Sequence, residues 1–338
     1  MRLGRFWVGG WLFGAIFLVM GVATPHVGGA DGTHVFDLQG HRGARGLVPE
    51  NSLPGFEKAL AIGVDTLEMD LVMTADDVLV VHHDRRLDPD RTRLAGEWLA
   101  GEGMLIRDLT LNQLAAYEIG YLRPGSRVRD RFPNQQGLEA VSIPSLQQVI
   151  SMAEKRSQGR IRYNIEIKHS PLSPTETVNP TKVVRALIQV IRSNALEERA
   201  AIQSFDWGVL DLVAEKAPDL SRVYLTAERK WLDNLGRGPD GTNAWLGERV
   251  PDWSRSSVPR AIHERGGMVW SPFHGDLTDE ALKEAHQLGL LVVVWTVNDP
   301  DDMRDLVLRG VDGIITDYPD RLRAVLAAQS RTLPQAFP

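Results

Sequence analysis

The chain of 338 residues contains no cysteine. This absence excludes disulfide frameworks, zinc–thiolate sites, iron–sulfur clusters and cysteine nucleophiles. Any metal must then be held by carboxylates, imidazoles or carbonyls, which favours hard cations or mixed nitrogen and oxygen sites. A basic excess is also lacking, because 38 Lys and Arg stand against 44 Asp and Glu and the net charge is −6. No nucleic-acid partner is therefore expected.

Long apolar runs are scarce, with one exception at the N terminus. Arg2 and Arg5 form a basic start, residues 6–22 are almost wholly apolar and uncharged, and residues 28–30 are small. This order predicts a cleaved signal peptide over residues 1–30, and hence a periplasmic or secreted protein without a stable membrane span. The alternative is an uncleaved anchor, because a run of this length lies at the lower limit for a span.

The chain as a whole has an ordinary globular balance, with 43% hydrophobic and 24% charged residues. Nine β-rich runs alternate with amphipathic helical patterns, which predicts an α/β fold with a parallel sheet. Runs that are continuously apolar, such as residues 290–294, suit strands that are covered on both faces. We therefore predict a (β/α)8 TIM barrel over residues 36–328 and a loose tail over residues 329–338. The nine runs are residues 36–41, 64–72, 78–82, 161–167, 200–204, 222–226, 268–270, 290–296 and 313–316.

Two features make the predicted barrel somewhat irregular. Nine runs compete for eight strand positions, and the link between the second and third runs is too short for a helical crossover. One of these two runs is therefore either a return strand or an irregular barrel element. Residues 85–141 then break the alternation with a single helical pattern, residues 111–119, which Thr110 would cap. We interpret them as a small insertion after the third strand, on the functional rim of the barrel.

Acidic side chains mark the ends of two of these runs. Glu68 and Asp70 are two residues apart on a strand, so they share a face, and in so apolar a strand two ionised carboxylates need a cation unless that face is exposed. Glu166 and Lys168 repeat this geometry, although a structural salt bridge is the alternative there. Three carboxylates at one barrel mouth predict a site for one hard divalent cation.

Two histidines end other runs at the same predicted rim. A lone histidine at a strand end is more often a hydrogen-bonded structural residue, but His41 and His83 lie near three acids. The neutral-range pKa of imidazole makes them the candidate acid and base. Arg42 and Lys168 add fixed positive charge, which suits a second anion such as a phosphate. Trp295 in the eighth run is the remaining candidate for contact with substrate.

The order of these motifs resembles the glycerophosphodiester phosphodiesterase family, a group of TIM barrels in the phospholipase C-like superfamily. The resemblance spans nearly the whole chain after the predicted signal peptide. The matching motifs are His-Arg-Gly at 41–43, Pro-Glu-Asn-Ser at 49–52, Glu-Met-Asp at 68–70, His-Asp at 83–84, Glu-Ile-Lys at 166–168, Gln-Ser-Phe-Asp at 203–206, Trp-Thr-Val-Asn at 295–298 and Thr-Asp-Tyr-Pro at 316–319.

The resemblance implies a site as well as a fold. It implies one Ca2+ or Mg2+ ion held by the three carboxylates, with His41 and His83 as the acid and base and with Arg42 and Lys168 on the phosphate. Because most family members have one histidine before the aspartate, the tandem His82-His83 is a departure, and we assign catalysis to His83.

Three functions follow as hypotheses. The first is an exported hydrolase that uses a divalent cation to convert small glycerophosphodiesters to sn-glycerol 3-phosphate and an alcohol. The second is lysophospholipase D-like hydrolysis at the same site, where Trp231, Trp245 and Trp253 would suit an acyl chain, although scattered tryptophans are more often loop packing. The third is a non-catalytic barrel that binds phosphodiesters or polyols, which would be expected to have lost at least one catalytic position. The oligomeric state is not predicted.

Overall fold

The computed structural model describes residues 36–236 and 243–338, together with Met1. Except for Met1, the predicted signal peptide of residues 1–30 lies outside these described residues. The strands are β1 Asp37–Gly40, β2 Thr66–Met73, β3 Leu79–Val81, β4 Arg93–Leu94, β5 Glu97–Trp98, β6 Tyr117–Glu118, β7 Arg162–Ile167, β8 Ala200–Ser204, β9 Ser221–Thr226, β10 Glu228–Arg229, β11 Leu232–Asp233, β12 Val269–Pro272, β13 Leu291–Val294 and β14 Gly313–Thr316. The α-helices are α1 Leu53–Ile62, α2 Leu111–Leu114, α3 Arg127–Arg131, α4 Leu146–Ser157, α5 Pro180–Ser193, α6 Trp207–Lys216, α7 Val258–Glu264, α8 Asp279–Gln287, α9 Pro300–Arg309 and α10 Pro319–Ala328.

Eight parallel strands close into a barrel in the order β1, β2, β7, β8, β9, β12, β13 and β14. The barrel closes at β1, where Gly40 lies opposite Leu67 of β2 on one side and Thr316 of β14 on the other. A helix follows each barrel strand along the chain, after an excursion in the case of β2. The predicted (β/α)8 TIM barrel is therefore confirmed. Among the described residues, no helix has the length and apolar character needed to cross a membrane.

The extra β-rich run is a return strand. β3 pairs antiparallel with the end of β2, with Val81 opposite Leu71 and Leu79 opposite Met73. A tight turn joins the two strands, in which the Val78 backbone N–H donates to Thr74 Oγ1 at 2.9 Å. This pairing answers the question that the sequence left open, because β2 is a barrel strand and β3 lies outside the ring of eight.

Residues between β3 and α4 form a small substructure against the end of β2. β4, β5 and β6 make an antiparallel sheet of their own. Thr110 caps α2 as predicted, but the helix ends at Leu114, so the helical prediction for residues 111–119 is wrong beyond that point. The reason is tertiary pairing, since Tyr117 and Glu118 lie opposite residues of β4 in the sheet. This substructure has a separate apolar core of Val72, Val80, Leu87, Ile106, Leu109, Leu114, Ile119, Val141 and Ile143.

The barrel strands nearest the site are apolar on the outside and polar on the inside. On β2, Leu67, Met69 and Leu71 belong to the hydrophobic core, whereas Glu68 and Asp70 alternate with them and are also buried. Successive side chains of a strand point to opposite faces, so the two sets face opposite ways. This alternation places buried carboxylates within the barrel while the apolar set joins the main core with the surrounding helices.

The end of the chain is docked rather than loose, which differs from the expectation for residues 329–338. The Phe337 side chain is buried in the main core, and its backbone N–H donates to the Leu60 carbonyl at 2.8 Å. Arg160 lies over the Phe337 ring at 5.1 Å and donates to Gln335 Oε1 at 2.6 Å. Leu333 also packs against the main core, and Arg323 Nη1 donates to the Pro334 carbonyl at 2.7 Å, so several contacts tie the end to the barrel.

Candidate active site

The three predicted carboxylates meet inside the barrel. In the strand register, Asp70 of β2 lies opposite Glu166 of β7, and Glu68 precedes Asp70 by two residues on the same face. All three side chains are buried, and one oxygen from each lies within 4.8 Å of the others. The structure therefore brings together the set that the sequence predicted from two separate strands.

Electrostatics at this triad fit a hard cation. Burial raises the pKa of Glu68 well above its usual range, and the neighbouring Asp70 charge adds to the effect. Burial also raises the pKa of Glu166 to about 7, although Lys168 opposes the shift. Burial would raise the pKa of Asp70 too, but Arg42 and other cations hold it below its usual range. Asp70 Oδ1 is buried without a hydrogen-bond donor. Such an all-oxygen set is suited to Ca2+ or Mg2+.

His41 lies directly after β1 and faces the triad. Its Nδ1 atom is 2.5 Å from Asp317 Oδ1, and its Nε2 atom is 3.9 Å from Glu68 Oε2. Asn298 Nδ2 donates to the other Asp317 oxygen at 2.7 Å, which fixes that carboxylate. Burial lowers the pKa of His41, while the Asp317 charge acts in the opposite direction. The carboxylate thus orients the ring so that the second nitrogen is directed toward the triad.

His83 has a carboxylate partner of its own. Its Nδ1 atom lies 2.7 Å from Asp84 Oδ1, and Arg91 Nη1 donates to the other oxygen of Asp84 at 2.8 Å. Burial lowers the pKa of His83 to about 3, and the charges of Arg42 and Lys168 lower it further. Since those two cations also contact the triad, His83 lies within the electrostatic reach of the same site.

The neighbouring His82 has different surroundings. It is buried, and its Nδ1 atom lies 2.8 Å from the Asp84 backbone carbonyl oxygen. The predicted run of residues 78–82 includes His82, but β3 ends at Val81, although the His82 backbone N–H still donates to the Asp70 carbonyl at 3.0 Å. The distinction between His82 and His83 therefore rests on their partners rather than on strand alternation.

The backbone at Arg42 adopts a conformation that is uncommon for a residue other than glycine. Its φ of 51° is left-handed, and this turn points the Arg42 N–H at Glu68 Oε2, 2.9 Å away. Gly43 follows with a φ of 88°, where a Cβ would come within 2.5 Å of the Gly55 carbonyl carbon. The Arg42 side chain lies 3.0 Å from Asp70 Oδ2 through Nε and donates to Glu50 Oε1 at 2.7 Å through Nη1.

Lys168 and Trp295 mark the outer side of the site. Lys168 Nζ donates to Glu166 Oε1 at 2.7 Å, so the salt bridge considered from the sequence is present, and it lies 3.6 Å from Asp70 Oδ1. The Phe205 ring lies 5.9 Å from Lys168 Nζ and packs edge-on against Trp295 at 5.2 Å. Trp295 is therefore linked to Lys168 by way of the Phe205 ring that lies between them in this chain of contacts.

The three tryptophans between β9 and α7 have separate surroundings. Trp231 is 61% exposed and packs edge-on against Trp295 at 6.0 Å. Trp253 packs against the main hydrophobic core, and Trp245 lies in a short 3-10 helix. Only one of the three therefore lies next to a residue of the site.

Sequence reasoning gave no role to four residues that hold the site together. Asn51 Nδ2 donates to Asp70 Oδ2 at 2.8 Å, and Glu50 accepts from Arg42. Asp317 holds His41, and Gln203 Nε2 donates to Glu68 Oε1 at 2.7 Å. All four stand within motifs of the family resemblance, so the motifs contained the signal, but spacing alone could not assign their partners.

A barrel mouth that holds an oxygen triad suited to a divalent cation, with two carboxylate-paired histidines beside it, has the groups needed for metal-assisted acid–base hydrolysis. The model of the glycerophosphoryl diester phosphodiesterase family matches residues 41–321. The chain therefore belongs to this family. The family prediction is confirmed, and with it the class of enzyme, a phosphodiester hydrolase.

The similarity of this chain to individual relatives extends over most of their length. The chain is 28% identical over 282 residues to the glycerophosphodiester phosphodiesterase of Caldanaerobacter subterraneus subsp. tengcongensis, covering 83% of this chain and 94% of the relative. A crystal structure from Silicibacter pomeroyi DSS-3, assigned as a glycerophosphoryl diester phosphodiesterase, is 35% identical with a TM-score of 0.77 and covers 89% of this chain and 96% of its own. These relatives favour neither alternative function.

A more distant structure shares the fold. The Oleispira antarctica phosphodiesterase OLEI02445, solved in complex with the product sn-glycerol-3-phosphate, is 20% identical with a TM-score of 0.62. The match covers 87% of this chain and 97% of that protein.

The pairing of His41 with Asp317 predicts a shift in pH dependence. Asp317→Asn keeps the shape of the side chain but removes the charge that raises the pKa of His41, so that pKa should fall further. The limb of the kcat/KM profile that His41 sets should then move to lower pH. The measurement is kcat/KM against pH for the wild type and the variant, with exposed Asp320→Asn as control. An unmoved limb in Asp317→Asn would show that this carboxylate does not set the His41 titration.

Proposed function

We propose that the protein is an exported glycerophosphodiester phosphodiesterase, which hydrolyses small glycerophosphodiesters to sn-glycerol 3-phosphate and an alcohol. The observation that carries this proposal is the placement of His41 and His83, each held by its own carboxylate, at one buried oxygen triad. The product bound in the Oleispira antarctica relative supports the same substrate class. Export is proposed from the sequence pattern of residues 1–30.

Glu68, Asp70 and Glu166 would hold one divalent cation, Ca2+ or Mg2+. When bound, this ion would neutralise charge that develops on the phosphoryl oxygens. Arg42 and Lys168 lie against the same carboxylates and would hold the phosphate by charge-assisted hydrogen bonds. Trp295 would contact the substrate at the outer side, next to Phe205 and Lys168.

The two histidines would move protons on opposite sides of phosphorus. One imidazole would accept the proton of the substrate hydroxyl next to the phosphoester, whose oxygen attacks phosphorus with the effective molarity of a tethered nucleophile. The other would protonate the oxygen of the leaving alcohol as its bond to phosphorus breaks. The resulting 1,2-cyclic phosphate would then take up water, with the two histidines in exchanged roles, to give sn-glycerol 3-phosphate.

The carboxylates give the direct test of this function. Glu68→Ala, Asp70→Ala and Glu166→Ala should each lower sn-glycerol 3-phosphate release from glycerophosphocholine by orders of magnitude, because each removes a ligand and unbalances the buried charge. EDTA should abolish wild-type activity, and added Ca2+ or Mg2+ should restore it. The exposed Glu280→Ala is the control and should behave as wild type. Near-normal turnover after EDTA treatment would contradict metal dependence.

The tandem histidines provide a matched pair of variants. His83→Ala should lower kcat by at least about 10²-fold, the usual scale of general acid–base catalysis. His82→Ala should cost much less, because the hydrogen-bond partner of that ring is a backbone carbonyl, whereas His83 is paired with the Asp84 carboxylate. The assay is steady-state hydrolysis of glycerophosphocholine with saturating metal. Equal losses in the two variants would mean that catalysis is assigned to the wrong member of the pair.

The course of the reaction is tested with an altered substrate. If the neighbouring hydroxyl is the nucleophile, a diester with hydrogen in place of the 2-hydroxyl should give no turnover. Direct attack by water needs no such hydroxyl and predicts substantial turnover. Product release is measured for both substrates at equal enzyme concentration, with binding of the deoxy compound checked by competition. Rapid hydrolysis of the deoxy substrate would rule out the cyclic route.

A further inference from the structure

A row of buried amide side chains crosses the barrel interior beneath the triad. Gln203 Nε2 donates to Glu68 Oε1 at 2.7 Å, and Gln203 Oε1 accepts from Asn164 Nδ2 at 3.1 Å. Asn164 Nδ2 also donates to Gln39 Oε1 at 2.9 Å, and Gln39 Nε2 donates to Asp37 Oδ2 at 2.8 Å. Four strands are linked in this way, because these residues come from β1, β2, β7 and β8.

The hydrogen bonds of this row run outward from Asn164 to a carboxylate at each end. A carboxylate that is ionised, as Glu68 would be with a cation bound, only accepts hydrogen bonds, so Gln203 then presents its NH2 group to Glu68 and its oxygen to Asn164. The NH2 group of Asn164 then donates hydrogen bonds to the side-chain oxygens of both Gln203 and Gln39. The far end is anchored, since Arg162 Nη2 and Thr66 Oγ1 donate to Asp37 Oδ1 at 2.9 and 2.8 Å.

Glu68 is held from two sides as a result. Gln203 donates to Oε1, and the Arg42 backbone N–H donates to Oε2 at 2.9 Å. Each oxygen of an ionised carboxylate has two acceptor positions, so one position on each remains for a cation. Gln203, Asn164 and Gln39 are only 1%, 2% and 4% exposed, and a cavity of about 340 Å³ is lined by Asn164 and Gln39 but not by Gln203.

We propose that Gln203, itself held by Asn164, is a positioning residue that orients the Glu68 carboxylate for the divalent cation. Groups that hydrogen-bond a metal ligand fix its orientation, and their loss typically lowers metal affinity by about 10- to 100-fold. Asn164 acts through Gln203, because it holds the glutamine oxygen and thereby the direction in which the amide donates. This inference rests on the proposed function, in which Glu68 is a metal ligand.

A merely structural role would give a different result. Buried amides also stabilise a fold by satisfying one another, and their loss then lowers the free energy of unfolding without changing how the folded protein binds a metal. Asn234 provides that comparison. It is fully buried, and its Nδ2 atom donates to the Phe205 and Leu225 carbonyls at 2.9 Å, with no bond to the triad.

The experiment is calorimetric titration of the metal-free full chain with CaCl2 and, separately, MgCl2. Gln203→Leu should raise the Kd by about 10- to 100-fold, and Asn164→Leu should raise it by less. The double variant should bind about as weakly as Gln203→Leu alone, because the second residue acts through the first. Gln203→Asn, whose amide is one methylene shorter, serves as a second variant if Gln203→Leu does not fold. Asn234→Leu should lower the Tm while leaving the Kd unchanged.

Two results separate the possible failures. A wild-type Kd in folded Gln203→Leu or Gln203→Asn would overturn the positioning role, provided that Glu68→Gln loses binding in the same assay. If Glu68→Gln keeps the wild-type Kd, the metal site of the proposed function fails instead, and the positioning role fails with it. Additive losses in the double variant would contradict the order in which Asn164 acts through Gln203.

Discussion

The mutual repulsion of three buried carboxylates is the constraint on which the rest of the site depends. Glu68, Asp70 and Glu166 lie close together where water cannot screen them, and burial raises the pKa of two of them. Isolated ionised carboxylates in such a place are costly unless cations compensate for them. Arg42 and Lys168 supply part of this compensation from the protein itself, and a divalent cation would supply the remainder at the point where their oxygens converge.

On β1, β2, β7 and β8 the barrel accommodates these charges by lining its interior with polar side chains. TIM barrels commonly fill the centre with layers of branched apolar side chains. Here Gln39, Asn164, Gln203 and Glu68 are buried and joined by hydrogen bonds, and the apolar residues of the same strands join the core with the helices. Asp70 is buried beside them and accepts from Asn51. Such links in a low dielectric hold side chains rigidly, because each broken link leaves a buried group unsatisfied. This rigidity suits the orientation of metal ligands.

Much of this organisation was visible in the sequence, but not all of it. Alternation of strands and helices predicted the barrel, and the two-residue spacing of Glu68 and Asp70 predicted a shared face. The same alternation extends to Gln39 and Asn164, which we did not single out, because uncharged amides carry no electrostatic signal. The partners of Asp317 and Glu50 could not be predicted, since those contacts depend on how β14 and the turn after β1 meet in space. The contact of Phe337 with the barrel core was also not predicted. One aromatic residue near the end of the chain forms no periodic pattern from which its burial could be inferred.

The most direct test of the central claim is thermal unfolding of the full chain with EDTA and with Ca2+ or Mg2+. A cation that relieves the repulsion binds only the folded state, so it should raise the Tm of the wild type, by the equivalent of about 2.7 kcal/mol at a hundred times its Kd. Asp70→Asn keeps the shape of the site but lacks one charge, and its Tm should respond far less. An equal rise in both proteins, or no rise in the wild type, would contradict the claim that the triad is organised around a divalent cation.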